Sequence, residues 1–330
     1  MSAKAAGGSG PQGKNVATAR TVQAVLAGVE SQPRGRSILP TGFSPLDDAL
    51  GGGLRSGTLT LIGGVPGVGK TIAAMQWARS MARSGYGVVY ACYEHDEPTL
   101  LGRLLLSELG DIAATDVRAT SSEVRRMMWG LATGAVSLAD ASEGNEAVQA
   151  AHAGLQEYGD QLWLHASSPV RTDVDTLDAL VPEGSEGKAV LFVDYLQKIP
   201  TDPGHAAIGL KDMAMRRDIA VIAIVAGDQA GLHRRRFRMQ HLESAAALTY
   251  EADMVFLLND KYAAVSKRHT AYDTVRAETF KQQVVVTIEK NREGPTGVNL
   301  GYKKDFLHYR FDPRGEHVEE QLVDEVIFLE

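Results

Sequence analysis

Eight consecutive residues, Gly64-Val65-Pro66-Gly67-Val68-Gly69-Lys70-Thr71, fit the spacing G-x-x-x-x-G-K-[ST]. That spacing suits a loop wrapped around phosphate. The glycines let the backbone turn tightly enough for successive N–H groups to face phosphate oxygens. A helix starting there adds the positive end of its dipole. Lys70 is then placed to reach the outer phosphates of a nucleotide, and the Thr71 hydroxyl to ligate Mg²⁺. The flanks agree: Thr58 to Ile62 reads as a buried strand and Ile72 to Ala82 as a helix. We take Gly64 to Ile72 as the nucleotide-binding segment.

Other polar residues stand at the ends of apolar runs. Val190-Leu-Phe-Val-Asp194 is a buried strand closing on a carboxylate, the position from which an aspartate serves the Mg²⁺ side of a phosphate-loop site. Val88-Val-Tyr-Ala-Cys-Tyr-Glu94 is a second such strand, and an acid there can polarise an attacking water. Glu97 is also eligible, but Glu94 is nearer the strand end. A third run ends at Ala226-Gly-Asp228-Gln229. Gln229 there suits a γ-phosphate sensor, and equally the polar start of a loop. Further on, His233-Arg-Arg-Arg-Phe-Arg238 holds Arg234, Arg235, Arg236 and Arg238 around one aromatic. Such a loop suits tracking a single-stranded nucleic-acid backbone and stacking a base. A solvated basic loop, or one docking a protein, has the same composition. Lys290 and Arg292 end a strand and point the same way by its period of two. On the residues alone they are two exposed cations.

The elements that must position these residues follow from apolar periodicity. Strands are expected at Thr58–Gly64, Val88–Glu94, Trp163–Ala166, Ala189–Leu196, Ala220–Ala226, Met254–Leu258 and Val284–Glu289. Helices are expected between the early ones, at Thr71–Ser84, Leu100–Leu109 and Ile208–Arg217. Alternation of this kind predicts a mainly parallel sheet covered on both faces. Near-continuous apolar runs such as Val221 to Val225 suit central strands. Tyr302 to Asp312 reads as a hairpin at the sheet edge. Ahead of the sheet, residues 1–17 read as a disordered tail. Residues 18–36 read as an arm built on a helix from Thr18 to Ser31, with Val22, Val25, Leu26 and Val29 on one face. The main domain is expected over 37–315 and an acidic tail over 316–330. Arg125 to Trp129 suggests an amphipathic helix in the less informative stretch 111–160.

Composition bounds the rest. The 330 residues are 44% hydrophobic, enough for a substantial core. A net charge of -7 argues against bulk attraction to nucleic acid but leaves room for a local basic channel. One cysteine, Cys92, excludes a disulfide framework and a thiolate metal site. The apolar runs are strand-length and the N-terminus lacks a signal core, so a cytoplasmic protein without membrane partners is expected.

Taken in order, these motifs resemble the RecA-like motor domain of the DnaB family of replicative helicases. Pro40-Thr-Gly-Phe-Ser-Pro-Leu-Asp47 resembles that family's opening segment. Leu61 to Thr71 resembles its phosphate loop, and Phe192-Val-Asp-Tyr-Leu-Gln197 its aspartate strand. Glu251 to Phe256 resembles a late strand, and Glu289-Lys-Asn-Arg-Glu-Gly-Pro-Thr-Gly297 its C-terminal signature. The resemblance spans about residues 38–312. It implies a RecA-like phosphate-loop core with a short N-terminal helical arm, and ATP and Mg²⁺ as cofactors. Lys70 and Thr71 would hold nucleotide and metal, Asp194 the metal side, Glu94 the attacking water, and Gln229 the γ-phosphate. Lys290 and Arg292 would act on the ATP of an adjacent copy, and the arm would pack on that copy. It further implies a homo-oligomeric ring, a hexamer by expectation, around single-stranded DNA, served by a loader or other replication protein.

One segment departs from the family. Where members carry Asp-Leu-Arg-Glu-Ser-Gly at the DNA channel, this chain has His241-Leu-Glu-Ser-Ala-Ala246. Glu243 replaces a cation and repels phosphate. Three functions are therefore carried forward. They are a DnaB-type helicase or translocase, a RecA-, RadA- or KaiC-like ATPase that remodels partners without unwinding, and a nucleotide-binding regulator of another helicase.

Overall fold

The fold is taken from a computed structural model that describes residues 19–31, 35–113, 126, 129–130, 133–143, 145–269 and 274–323. The expected N-terminal tail lies outside these residues, as do 324–330 and most of the Arg125–Trp129 stretch. The chain divides into two units, 1–35 and 36–330. In the first, the helix α1 (Val22–Ser31) begins four residues later than the sequence predicts, and Val22, Val25 and Leu26 are exposed.

The second unit opens with the short pair β1 (Ile38–Leu39) and β2 (Leu54–Arg55), which are antiparallel and bracket α2 (Ser44–Ala49). Then follow β3 (Leu59–Gly64), α3 (Lys70–Arg83), β4 (Gly87–Cys92), α4 (Glu97–Ala113), β5 (Leu162–Ala166), β6 (Ala189–Asp194), β7 (Ala220–Val225) and β8 (Met254–Asp260). The chain continues with β9 (Gln283–Asn291), β10 (Val298–Asp305), β11 (Arg310–Phe311) and β12 (Glu316–His317). The large sheet runs β11-β10-β9-β8-β3-β7-β6-β4-β5, with β12 also on β10. From β8 through β5 the pairs are parallel. From β8 through β11 they are antiparallel. The predicted parallel core is thus present, and the edge hairpin is longer than expected because its first strand begins at Val298.

The apolar runs do not alternate with polar residues because both faces of the sheet are covered. On β7, Ala220, Ile222 and Ile224 face a core containing Trp77, Met81 and Phe256. Val221, Ala223 and Val225 face a second core containing Leu210, Met213 and Leu248. α3 covers the first face, and the helix Pro203–Arg217 the second. A smaller cluster joins α4 to the helix Glu146–Gln156 through Leu105, Leu109, Val148 and Ala151.

The acidic C-terminal segment departs from its sequence reading in its first half. Glu316 and His317 pair with β10, and Leu322 is buried against Val265, Phe280 and Val285. Glu320 is drawn into ion pairs with Lys261 and Arg276. Apolar anchoring at Leu322, with cations facing the carboxylates, holds 316–323 to the sheet edge.

Candidate nucleotide site

β3 is buried along its whole length and delivers the phosphate loop at its C-terminal end. Three glycines there take left-handed φ values: Gly64 at 152°, Gly67 at 77° and Gly69 at 103°. Space demands glycine as well as angle. A Cβ on Gly64 would lie 2.6 Å from the Leu258 carbonyl oxygen, and one on Gly69 2.5 Å from Phe311 Cζ. α3 then starts at Lys70 with no side-chain cap and no acidic residue in its first turn. Its first N–H groups are therefore left for an anion. Lys70 Nζ donates to the Gly64 and Val65 carbonyls at 2.9 and 3.1 Å. Burial lowers its pKa, while Asp194 and Glu94 oppose that shift.

Asp194 ends β6 and is 2% exposed. The Tyr90 hydroxyl donates to its Oδ2 at 2.9 Å, and the Thr71 side chain also hydrogen-bonds it. Burial nevertheless pushes its pKa up to about 6, helped by Glu94 and opposed by Arg103. A buried carboxylate held beside the Thr71 hydroxyl is a fitting half-site for a hard cation. Mg²⁺ takes one or two protein oxygens and fills its octahedron with phosphate and water. Among the described residues no group of three or more His, Cys, Asp or Glu is arranged to hold a metal by itself.

β4 and β6 are in register, Cys92 opposite Asp194, so Glu94 follows two residues beyond the level of Asp194 on the same side of the sheet's end. Glu94 is exposed, and Glu97 is turned away to accept from Ala166 N at 3.0 Å. A cavity of about 490 Å³ collects Gly67, Gly69, Lys70, Thr71, Ile72, Glu94 and Asp194. Pro66, Tyr195, Ile224, Ala226, Phe306 and Tyr309 complete its wall. Gly64, Val65 and Val68 shape the loop from behind, with Val68 packed into the core. Cys92 lies beneath, its thiol pushed up to about 11 by burial and by Asp194, which leaves it protonated at neutral pH.

Sequence reasoning did not single out Tyr90, Arg103 or Tyr309. Arg103 on α4 sits 4.7 Å over the Tyr309 ring and acts electrostatically on Asp194 and Cys92. A lone Arg in an amphipathic helix and an aromatic in an edge hairpin carry no local signature. Only the packing of α4 against the turn before β11 brings them to the cavity.

The remaining candidates lie elsewhere. Gln229 is exposed at the start of a short helix and is not part of the cavity wall. Lys290 and Arg292 stand at the opposite end of the sheet. Gly64 pairs with Leu258 on β8, whereas Lys290 pairs with Val255 and β9 runs the other way. From Val286, opposite Leu258, to Arg292 is six residues, about 20 Å of strand. The two cations therefore cannot serve their own chain's phosphate loop.

The basic loop is also divided. Arg234 is exposed. Arg235 is exposed with its guanidinium on the Val265 carbonyl at 2.9 Å. Arg236 is 3% exposed and donates to Val323 O and Asn299 Oδ1. Arg238 pairs with Glu289. Phe237 is 1% exposed, and Asn259 brackets its backbone on both sides. The expectation of four arginines and a stacking aromatic on one surface is therefore corrected. Phe237 faces the core because Gly227 and Gly231 leave room for its ring. Arg234 and Arg238 with Gln240, His241 and Glu289 line a separate cavity of about 540 Å³. Among the described residues no helix is long and apolar enough to cross a membrane.

Known proteins resemble this chain in sequence and in fold. The sequence profile of the DnaB-like helicase C terminal domain matches residues 38–311. The replicative DNA helicase DnaC of Bacillus subtilis (strain 168) is 26% identical over 298 residues, 84% of this chain. The chain spans 58% of the length of that relative. Among solved structures, the ATPase domain of G40P superposes with a TM-score of 0.63 at 20% identity, over 88% of this chain and 96% of that one. The RadB recombinase superposes with a TM-score of 0.50 at 18% identity, over 83% and 98%. The fold is RecA-like. A profile match running from β1 to β11, over the residues that build the sheet and the cavity, places the chain in the family of DnaB-like helicase C-terminal domains.

Proposed function

We propose that the chain is a Mg²⁺-dependent ATPase that assembles as a ring, a hexamer by expectation, and couples hydrolysis between adjacent copies to movement along single-stranded DNA. The observation that carries this reading is the split of the site. The phosphate loop, Asp194 and Glu94 line one cavity, while Lys290 and Arg292 lie beyond reach at the other end of the sheet. A neighbouring copy then supplies the missing cations.

In this reading the loop N–H groups and Lys70 bind the triphosphate, and Lys70 exchanges its two loop carbonyls for phosphate oxygens. Thr71 and Asp194 would hold Mg²⁺, which when bound neutralises charge on the β- and γ-phosphates. Glu94 accepts a proton from water as its oxygen attacks the γ-phosphorus, the bond to the β–γ bridging oxygen breaks, and ADP leaves. Arg292 of the adjacent copy stabilises the charge spread over the transferred group. Such a contribution is typically about 10³–10⁵ in rate. Of the basic loop, Arg234 and Arg235 are exposed and are the groups to meet DNA, whereas Arg236 is buried. The exposed Val22–Leu26 face of α1 suits packing on an adjacent copy. A loader or other replication protein, and a cytoplasmic setting, go with this assignment.

Turnover measured with and without single-stranded DNA, beside a mass measurement, tests the reading. Lys70→Ala should abolish turnover. Arg292→Ala should abolish turnover while nucleotide still binds, and full turnover in that variant sinks the shared site. A second reading, an ATPase that remodels partners without unwinding, is favoured by Glu243, which stands exposed where a cation is expected. Turnover without strand displacement on a forked substrate selects it.

A further inference from the structure

Lys290 and Arg292 are not loose side chains. Lys290 Nζ donates to the Thr249 and Ala252 carbonyls at 2.5 and 2.7 Å, and Arg292 Nη2 to the Tyr250 carbonyl at 2.5 Å. These carbonyls belong to the last turn of the helix Ala245–Glu251 and to Ala252, which caps it. They form the end of a helix that lacks intrahelical donors and favours cations.

Carbonyls alone leave a long guanidinium free to swing, but Arg292 Nη1 also meets Asp253 Oδ1 at 3.1 Å. The Asp253 side chain is 9% exposed, and its other oxygen is already fixed. Oδ2 accepts from Leu59 N at 2.8 Å and from Lys211 Nζ at 2.7 Å, and Lys211 also donates to Gly57 O at 3.0 Å. The backbone repeats the latch. Asp253 N donates to Leu59 O at 2.8 Å, and Arg292 N to Asp253 O at 3.0 Å. The carboxylate is thus immobile and the arginine is the member that follows. Arg292 remains 45% exposed, and a guanidinium has five N–H donors, so hydrogens remain for a second anion.

We propose that Asp253 is the positioning residue for Arg292. It sets the direction in which the guanidinium leaves this chain toward the triphosphate of an adjacent copy. The latch to Leu59 makes that direction a property of β3, the strand that carries this chain's own phosphate loop. The inference rests on the shared-site reading above.

Asp253→Asn tests it. Turnover should fall about 10- to 100-fold, the scale of a misplaced catalytic group. Nucleotide affinity should stay within about twofold, because binding is made at the far end of the sheet. Mixing this variant with Lys70→Ala should restore turnover above either alone. The first supplies an intact phosphate loop, and the second a correctly held Arg292. Lys211→Met removes another partner of the same carboxylate. It should cost stability and lose less turnover than Asp253→Asn, because Leu59 N still holds Oδ2 and the charge facing Arg292 is kept. If Asp253→Asn melts below the assay temperature, Asp253→Glu, with the charge displaced by one methylene, takes its place with the same expectation. Wild-type turnover in the Asp253 variant, no complementation, or an equal loss in Lys211→Met overturns the proposal. Full turnover in Arg292→Ala overturns instead the shared site on which it rests, so the two failures are told apart.

Discussion

Replacing Asp194 by Asn should stabilise the nucleotide-free protein while ending its turnover. The carboxylate is 2% exposed, and its pKa stands at about 6 against an ordinary 3.8, chiefly because burial penalises the charge. A displacement of about two pH units is worth about 3 kcal/mol. The unfolded chain releases this proton near the ordinary carboxylate value and the native protein only near pH 6, so the native state holds more protons in between. Stability contributed by this group is therefore complete below about pH 4, declines as pH rises to about 6, and stays low above. The amide keeps the shape and still accepts from Tyr90, but carries no charge to desolvate. Unfolding entropy of about 2 cal/mol/K per residue gives about 0.6 kcal/mol/K for a unit of this size, so about 3 kcal/mol raises Tm by roughly 5 °C. Melting curves in a chelating buffer should show that gap at about pH 8 and almost none at about pH 4. Equal Tm values at the higher pH, or a gap that ignores pH, would refute the argument that Asp194 carries an uncompensated charge before nucleotide and metal arrive.

Gly69→Ala forces a side chain into φ 103° and sets its Cβ 2.5 Å from Phe311 Cζ. We expect a loss of about 1–3 kcal/mol in stability and of most nucleotide affinity, read by melting and by titration with a fluorescent nucleotide. Unchanged affinity would remove the loop from the site. Phe237→Ala empties a position that is 1% exposed and should cost about 3–5 kcal/mol. Its affinity for single-stranded DNA, measured well below its Tm, should match the wild type. A weakened complex in the folded variant would return Phe237 to the DNA surface.

The sheet was legible because its strands are buried on both faces, and burial leaves long apolar runs such as Ala220–Val225 that no surface segment carries. The phosphate loop was legible because its glycines answer a local backbone demand. The convergence of Lys70, Thr71, Glu94 and Asp194 on one cavity followed from those two facts, since parallel strands all present their C-terminal ends on one side. The basic loop was misread for the opposite reason. His233 to Arg238 looks like a solvated run, but Arg236 and Phe237 turn inward against Asn299 and Gly227, partners some 10 to 63 residues away.

By itself, then, the sequence determined what is local and repetitive: strand and helix periods, glycines at left-handed angles, and the carboxylates Glu94 and Asp194 closing two apolar runs. Only the tertiary structure decided what depends on distant partners. It put Arg103 over Tyr309, buried Phe237, and latched Arg292 through Asp253 to the start of β3. Whether a polar side chain faces water or a buried partner is set by what packs against it, and a residue's neighbours in the chain do not carry that information.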